Sequence, residues 1–190
     1  MKFLEENYDQ TYKNLTFEEE VFIKVHWENC IFENCKFIQN YFQSCTFLEC
    51  VFKTCDLSNM KLTGSRFRNC NFSDTKAIGI NWSETNNSSY LKFENSVLDY
   101  SSFMDMDLKQ SQFNTCRLVD ADFSESYLQS VSFFESELAG ANFNGANLEY
   151  ADLKQAKNYN INSEFTRIRY AKFSLPEALA LLEPLEIELN

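Results

Sequence analysis

Residues 121–153 read ADFSESYLQSVSFFESELAGANFNGANLEYADL, with a large apolar residue at every fifth position from Phe123 onward. The same spacing extends from Phe17 to Leu153 with one slip, which lies between Trp82 and Phe93. Five residues turn through about 140° in a helix and alternate faces in a flat strand, so neither element keeps these residues on one side. A chain that coils around an axis and turns a corner every five residues keeps these apolar residues on one side, because each of them then points inward.

A second register supports the coil, because the residue two before each large apolar position is usually small, as at Ala121 and Ser126. We infer that this residue also faces the interior and fills the corner beside the large one. All seven cysteines fall in this register, at positions 30, 35, 45, 50, 55, 70 and 116. Zinc sites need ligand pairs about two to four residues apart and often a histidine partner. His26 is the only histidine, so we predict cysteines packed in the core, with no metal and no cofactor.

Four segments share a small residue, then Asp or Asn, then Phe or Leu: Ala121-Asp122-Phe123, Ala141-Asn142-Phe143, Ala146-Asn147-Leu148 and Ala151-Asp152-Leu153. This pattern resembles the pentapeptide-repeat family over roughly residues 15–173. The resemblance implies an all-β fold, a right-handed quadrilateral β-helix with four pentapeptides per coil. The residues themselves support it in part: Phe and Leu alternate from Phe93 to Leu148, so like residues stack on like. Any even number of sides would give the same stacking.

The repeat pattern divides the chain into three parts. Residues 1–16 are expected to cap the open end of the coil, 17–173 to form the β-helix, and 174–190 to form a C-terminal helix and tail. The polar segment 83–92 contains the slip, eleven residues where ten would keep the phase, and we expect a bulge there. Ser174 begins an N-cap pattern for a short helix that ends before Pro184, with a short alternating strand after it.

The last segment carries more apolar residues than a terminal cap needs. They either plug the end of the coil or form a dimer interface, and we favour the interface in a homodimer. The predicted interface residues are Leu179, Leu182, Leu185, Ile187 and Leu189.

Charge is unevenly distributed along the chain, whose net charge is −11. The second run, residues 93–153, holds eleven acids against Lys109 and Arg117, a net charge of −9. Such an excess indicates a partner that prefers negative charge, although a solvated surface that keeps the protein soluble would have the same composition. The predicted partner-binding acids are Asp99, Asp105, Asp107, Asp120, Asp122, Glu125, Glu135 and Glu137.

Several function classes find no support in the sequence. There is no glycine-rich phosphate loop, nucleophile elbow or metal triad, so we predict that the protein is not an enzyme. The first residues are acidic rather than basic, and no stretch approaches the roughly 20 apolar residues of a membrane span. An odd number of unpaired cysteines suits a reducing compartment, and we therefore expect a cytoplasmic protein with no membrane partner.

A regular acidic rod predicts mimicry of DNA. Proteins that hold DNA do so largely by neutralising phosphates with Lys and Arg, and regularly spaced carboxylates could occupy the same basic surface. About eight coils at the inter-strand spacing give roughly 38 Å. That length matches about eleven base-pair steps of about 3.4 Å. Such a protein would bind the DNA-binding protein and not nucleic acid itself.

Three local features resemble a narrower branch of the family: the Cys-x-Phe-rich run from Cys30 to Phe37, the element Gly79-Ile-Asn-Trp82, and the end from Ala171 to Leu189. That branch contains the Qnr-type quinolone-resistance proteins, the mycobacterial fluoroquinolone-resistance protein, and the immunity proteins of microcin B17 and albicidin producers. The resemblance implies C-terminal dimerisation, binding to DNA gyrase or topoisomerase IV, and protection from a topoisomerase poison. A departure concerns quinolones specifically: Qnr proteins carry two projecting loops, whereas this chain has one candidate with a single extra residue. The alternative function is a protein-interaction scaffold with an unidentified partner.

Overall fold

A computed structural model describes residues 3–185 as a rod of stacked coils, in which the chain turns a corner after each pentapeptide. Each coil has four sides, because strands pair in parallel with the strand 20 residues later, as in Phe32↔Phe52 and Phe52↔Phe72. The predicted quadrilateral β-helix is therefore confirmed. Within residues 3–185 the strands are Glu6–Tyr8, Thr11–Lys13, Thr16–Glu18, Val21–Ile23, His26–Glu28, Ile31–Glu33, Lys36–Ile38, Tyr41–Gln43, Thr46–Leu48, Val51–Lys53, Arg66–Arg68, Asn71–Ser73, Lys92–Glu94, Gln112–Asn114, Asp152–Leu153 and Lys172–Phe173. Isolated parallel bridges continue the ladders between them.

We name the four sides by one inward residue each: the Phe103 face, the Leu108 face, the Phe113 face and the Leu118 face. In the regular pentapeptides the two registers point inward, and the corner residue, two after the large apolar one, has a left-handed backbone. One corner shows this in four successive coils, at Asn14, Asn34, Thr54 and Asp74, with φ of 56°, 52°, 53° and 53°. A left-handed residue other than glycine costs roughly 1–2 kcal/mol, and the corners persist because the ladders on both sides hold them.

Stacked aromatic rings fill the coil. On the Phe103 face, Phe123 lies 4.9 Å from Phe103 and 5.4 Å from Phe143, with rings inclined by 4° and 3°. Rings of the Phe113 face meet these edge-on, and Phe133 lies 5.3 Å from Phe123 at 80°. The predicted stacking of Phe on Phe is confirmed. Such offset and edge-on contacts add to the free energy gained by removing the rings from water.

The small inward residues do more than fill corners, a role that the sequence analysis missed. Their hydroxyl or thiol groups donate hydrogen bonds to a main-chain carbonyl of the preceding coil, as from Ser126 Oγ to Phe103 O at 2.6 Å and from Cys50 Sγ to Trp27 O at 3.4 Å. All seven cysteines are buried and free. Burial raises the pKa of Cys116 to about 12, so its thiol keeps the proton that it donates to Asn114 O, two residues earlier, at 3.2 Å.

The coil begins earlier than the predicted boundary at residue 17. Glu6–Tyr8 pairs with His26–Glu28, so Asn7 occupies an inward position, where its Nδ2 donates to His26 O at 3.2 Å. Tyr12 fills the next inward position, and its hydroxyl donates to Asn7 Oδ1 at 3.0 Å. The Phe3 ring covers the end of this first coil, 5.1 Å from the ring of Trp27. The repeat spacing did not reveal this coil because a polar Asn replaces a large apolar residue.

The slip is a one-residue insertion. Phe72 pairs with Phe93, 21 residues later, whereas Phe93 pairs with Phe113 after 20. Trp82–Glu84 forms one turn of 3₁₀ helix, and the inward position of the Leu108 face is taken by buried Ser88. The Trp82 ring, fully buried, lies 5.3 Å from Phe67 and 5.5 Å from Phe93 and fills the space that Ser88 leaves.

The C-terminal element is a 3₁₀ helix, Glu177–Leu185. The predicted end before Pro184 is therefore wrong, as is the predicted side-chain N-cap. Ser174 Oγ accepts the Gln155 N–H at 3.1 Å, and the first turn closes through the Ser174 carbonyl, which accepts the Ala178 N–H at 3.0 Å. Pro184 lacks the N–H that would bond to a carbonyl one turn earlier, but its fixed φ is compatible with helical backbone, so the helix continues through it with one bond fewer. Residues 186–190 of the predicted strand lie outside the described residues.

Candidate acidic interface

Seven of the eight predicted acids lie on outward positions of the coil, in two groups. Five lie on the Phe103 face, at its two edges or on the adjoining Leu108 face: Asp122 on the Phe103 face, Asp105, Asp120 and Glu125 at its edges, and Asp107 on the Leu108 face. Two lie on and beside the Leu118 face: Glu135 and Glu137. The structure thus brings most of the predicted acids to one side of the rod.

Asp99 does not belong to this surface. It is only 3% exposed, and its Oδ2 lies 3.1 Å from Arg117 Nη2. Its Oδ1 accepts the Val119 N–H at 3.0 Å. The pair joins two adjacent coils of the Leu118 face, so the role of Asp99 is to hold those coils together.

Three acids on the flat sides are engaged by their own pentapeptides. Asp122 Oδ1 accepts the Ser124 N–H at 3.0 Å, and Glu137 Oε1 accepts the Ala139 N–H at 3.1 Å. Asp107 binds the Lys109 ammonium at 3.1 Å. A carboxylate or amide oxygen at this position accepts the N–H two residues later. This bond explains why the repeat favours Asp or Asn directly before the large apolar residue. The charge of these acids remains at the surface, but part of each carboxylate supports the coil.

The four corner acids, Asp105, Asp120, Glu125 and Glu135, are different. All four are exposed, and within residues 3–185 none of their carboxylates accepts a hydrogen bond or forms an ion pair. Their backbones are left-handed, with φ from 54° to 58°. Because a corner residue is the outermost point of its coil, these carboxylates are the most available for a partner.

Two glycines one coil further on give the corner acids room. The Asp120 carboxylate lies against Gly140 and the Glu125 carboxylate against Gly145, where a Cβ atom would collide with each. Both glycines have positive φ, 70° and 75°. The two acids therefore lean along the rod toward its C-terminal end, which adds acidic surface to coils whose own corners carry no side chain.

The negative charge of this side is not neutralised locally. From Asn81 to Gly145 the outward positions of the Phe103 face carry no Lys or Arg. The two bases of the second run are already paired, Lys109 with Asp107 and Arg117 with Asp99. Glu84, which the sequence analysis did not select, extends the acidic edge by one coil, although its carboxylate also accepts the Thr63 hydroxyl at 3.0 Å.

The predicted dimer interface is described in part. Leu179 is 46% exposed and Leu182 is half-buried. The side chain of Leu185 and residues Ile187 and Leu189 lie outside the described part of the chain. Two further apolar residues missed by the sequence analysis, Phe165 and Leu175, are 63% and 77% exposed near the same end of the rod. The dimer interface remains a prediction.

In the part of the chain that the structure describes, no group of three or more His, Cys, Asp or Glu side chains is placed to hold a metal ion. A helix long and apolar enough to cross a membrane is likewise not found among residues 3–185.

Comparisons with known proteins agree with this geometry. A sequence model of the pentapeptide repeat region matches residues 25–103, and a second, of pentapeptide repeats, matches residues 126–157. A trypsin-treated form of QnrB1, a plasmid-mediated fluoroquinolone resistance protein, superposes with a TM-score of 0.75 at 15% identity, covering 97% of this chain and 100% of QnrB1. A second trypsin-treated QnrB1 structure gives a TM-score of 0.57 at 20% identity, covering 98% and 92% of the two chains. These likenesses show the same fold. No curated protein matches the sequence.

Proposed function

Because the chain belongs to the pentapeptide-repeat family, we propose that its acidic side mimics DNA and binds a type II topoisomerase, DNA gyrase or topoisomerase IV. The observation that carries the proposal is the set of four free corner carboxylates, together with the pairing of both nearby bases. Charged groups that have no internal partner are available to an external one.

The physical basis is replacement of phosphates by carboxylates. A duplex presents one negative charge per about 1.7 Å of its axis, and proteins that bind it line the contact with Lys and Arg. The acidic side repeats at the coil spacing of about 4.8 Å, with several carboxylates around each coil. Its charge density is lower than that of DNA but has the same sign and a rod-like arrangement. We expect the binding to weaken steeply with salt, because exposed charges are screened within about 10 Å at about 0.1 M ionic strength.

We further propose that the protein acts as a cytoplasmic homodimer that protects its topoisomerase from a poison, as an antibiotic-resistance or immunity protein. The likeness to QnrB1, itself a fluoroquinolone resistance protein, supports a protective role. The apolar residues near the C-terminal end, including Leu175 and Leu179, support a dimer joined there. The Qnr proteins carry two projecting loops, whereas this chain has a single one-residue insertion. This difference supports protection from a toxin or drug other than a quinolone.

A supercoiling assay with purified gyrase and a relaxation assay with topoisomerase IV test the proposal. The wild type should inhibit at low salt and lose inhibition as salt rises. The triple variant Asp105→Asn, Asp120→Asn, Glu125→Gln should inhibit at least about tenfold less well, because it removes three charges that bind outside the protein. Circular dichroism should show an unchanged fold, since outward amides fit the same corners.

A matched control variant removes the same number of negative charges from a different part of the rod. The variant Glu19→Gln, Glu49→Gln, Asp74→Asn also removes three charges at exposed left-handed corners, but within residues 17–82, before the insertion. It should inhibit like the wild type. Equal loss in both triple variants would show that net charge alone acts, and absence of any wild-type effect on either enzyme at low salt would refute the proposal.

A further inference from the structure

The ladder on the Leu108 face is regular beyond the insertion. Between the coils at Leu108 and Leu128 it contains three main-chain bonds. Tyr127 N–H donates to Met106 O at 2.9 Å, Leu108 N–H to Tyr127 O at 2.9 Å, and Gln110 N–H to Gln129 O at 3.1 Å. A regular ladder would repeat these three bonds between the preceding coil, at Ser88, and the coil at Leu108.

Between the coils at Ser88 and Leu108 these three bonds are missing. The donors would be the N–H groups of Ser88, Tyr90 and Asp107, and none of them has an acceptor among the described residues. The carbonyls of Asp107 and Lys109, which would accept two of the bonds, are also open within residues 3–185. Backbone groups of folded proteins are nearly always paired, with protein or with water, so these open groups on two facing edges need water or another main chain as a partner.

The insertion explains the gap. Asn86 N–H donates to Ser65 O at 2.7 Å, and Ser89 N–H donates to Phe67 O at 3.0 Å. Arg66 Nε also donates to Asn86 O at 3.1 Å, in the place of a ladder bond from the next coil. The inserted residue therefore lies against the preceding coil, and the ladder to the following coil is left open.

The gap is a cleft of about 550 Å³ between residues 83–88 and residues 104–109. Met104 and Tyr127 line it and are 47% and 48% exposed, so it has apolar surface beside its open backbone groups. The free Asp105 carboxylate lines the cleft as well, while Asp107 is neutralised by Lys109. The uncompensated charge in the cleft is thus negative.

We propose that this cleft binds an extended Lys- or Arg-containing segment of a partner protein, which bonds to the open main-chain groups of Ser88, Tyr90 and Asp107. Addition of a strand to an open ladder edge is a general mode of peptide recognition, in which main-chain bonds provide affinity and side-chain contacts provide specificity. Asp105 selects a cationic side chain, and Met104 and Tyr127 contact its aliphatic part. This goes beyond the proposed function, and its test contains no topoisomerase, so the two can fail separately.

Calorimetric titration of the full chain with capped hexapeptides tests the proposal. The probe alternates lysine and valine, a second peptide alternates glutamate and valine, and a third is the lysine peptide N-methylated at alternate residues. The lysine peptide should bind at least about tenfold more tightly than either of the others, a difference of about 1.4 kcal/mol. If no peptide binds, or if N-methylation leaves the affinity unchanged, the added strand is refuted. Equal binding of the glutamate peptide refutes the selection of a cation.

Variants and hydrogen exchange locate the site. Asp105→Asn should weaken the lysine peptide about tenfold, whereas Asp74→Asn, at an exposed corner outside the cleft, should not. Deletion of Asn87 restores the ten-residue phase and should abolish binding. In the free protein the amides of Ser88, Tyr90 and Asp107 should exchange faster than those of Leu108 and Gln110, and the lysine peptide should slow them. A bound peptide that does not slow these three amides would refute the site even if the deletion variant does not fold.

Discussion

Removal of one ring from the aromatic stack measures how much the large inward residues contribute to the free energy of unfolding. Phe123 is fully buried and lies between Phe103 and Phe143, with centroids 4.9 Å and 5.4 Å away. Phe113 and Phe133 meet it edge-on at 5.5 Å and 5.3 Å. Truncation of a buried Phe to Ala costs about 3–5 kcal/mol. Each lost aromatic pair contributes about 0.5–1.5 kcal/mol, so we expect Phe123→Ala near the upper end, about 5 kcal/mol.

Two comparison variants isolate the cause. Phe134→Ala removes the same side chain from a half-buried outward position, directly after the inward Phe133, and should cost less than about 1 kcal/mol. Cys116→Ser keeps an inward donor in a register where Ser96 and Ser136 already fit, and should change stability by less than about 1 kcal/mol.

Urea unfolding, monitored by circular dichroism, ranks the three variants by their stability. The midpoint for Phe123→Ala should be far below the other two, with an unchanged slope if the coil unfolds as one unit. A reduced slope would show that the rod unfolds in parts, as stacked repeats can. A midpoint for Phe123→Ala at or above those of Phe134→Ala and Cys116→Ser would refute the assignment of the inward register.

Three further predictions concern the corners, the thiols and the C-terminal end. Gly145→Ala should cost about 1–2 kcal/mol because its φ is 75° and its Cβ meets the Glu125 carboxylate; thermal unfolding should show part of the loss recovered when Glu125→Ala is added, and no recovery would contradict the contact. Burial raises the pKa of Cys116 from 9.0 to about 12, so its contribution to stability is complete below pH 9 and is lost as pH rises toward 12; urea midpoints across that range should fall more for the wild type than for Cys116→Ser. Truncation after Phe173 should convert a dimer to monomers or aggregates by light scattering, and a full-length monomer at micromolar concentration would contradict the dimer.

The fold was largely predictable because its repeat is short and its core has one kind of contact. A spacing of five residues cannot be placed on one side of a helix or a flat strand, so Phe103, Phe123 and Phe143 had to point into a coil. Their stacking on one another also requires four sides per coil, which the family resemblance implied and the strand pairing confirms. The predictions failed at the two ends of the rod, where polar side chains replace the apolar and small residues of the repeat. Asn7 and Tyr12 continue the coil with polar groups that bond to each other, and Ser174 uses its hydroxyl for Gln155 instead of capping the helix.

The candidate acidic interface was predictable as a set of residues but not as a set of free charges. Repeat position indicates that Asp107 and Asp122 face outward, and their bonds to the main chain two residues later follow from local geometry. The pairing of Asp99 with Arg117 joins residues 18 positions apart on neighbouring coils. No local pattern contains that contact, since it depends on how two coils align.

By itself, the sequence determined which side chains point inward, because that follows from position within a five-residue repeat, and where along the chain the excess negative charge lies, because the acids are read directly from the residues. Which inward residues stack on each other depends on four sides per coil, which the family resemblance implied and the strand pairing shows. The tertiary structure alone decided which charges are free and where the ladder is open. Among residues 3–185, Asp105 and Glu125 are unpaired and the N–H groups of Ser88, Tyr90 and Asp107 lack partners, because of what the adjacent coil places beside them. A single inserted residue changes the alignment of one coil with the next, and only the stacked coils show which bonds are lost.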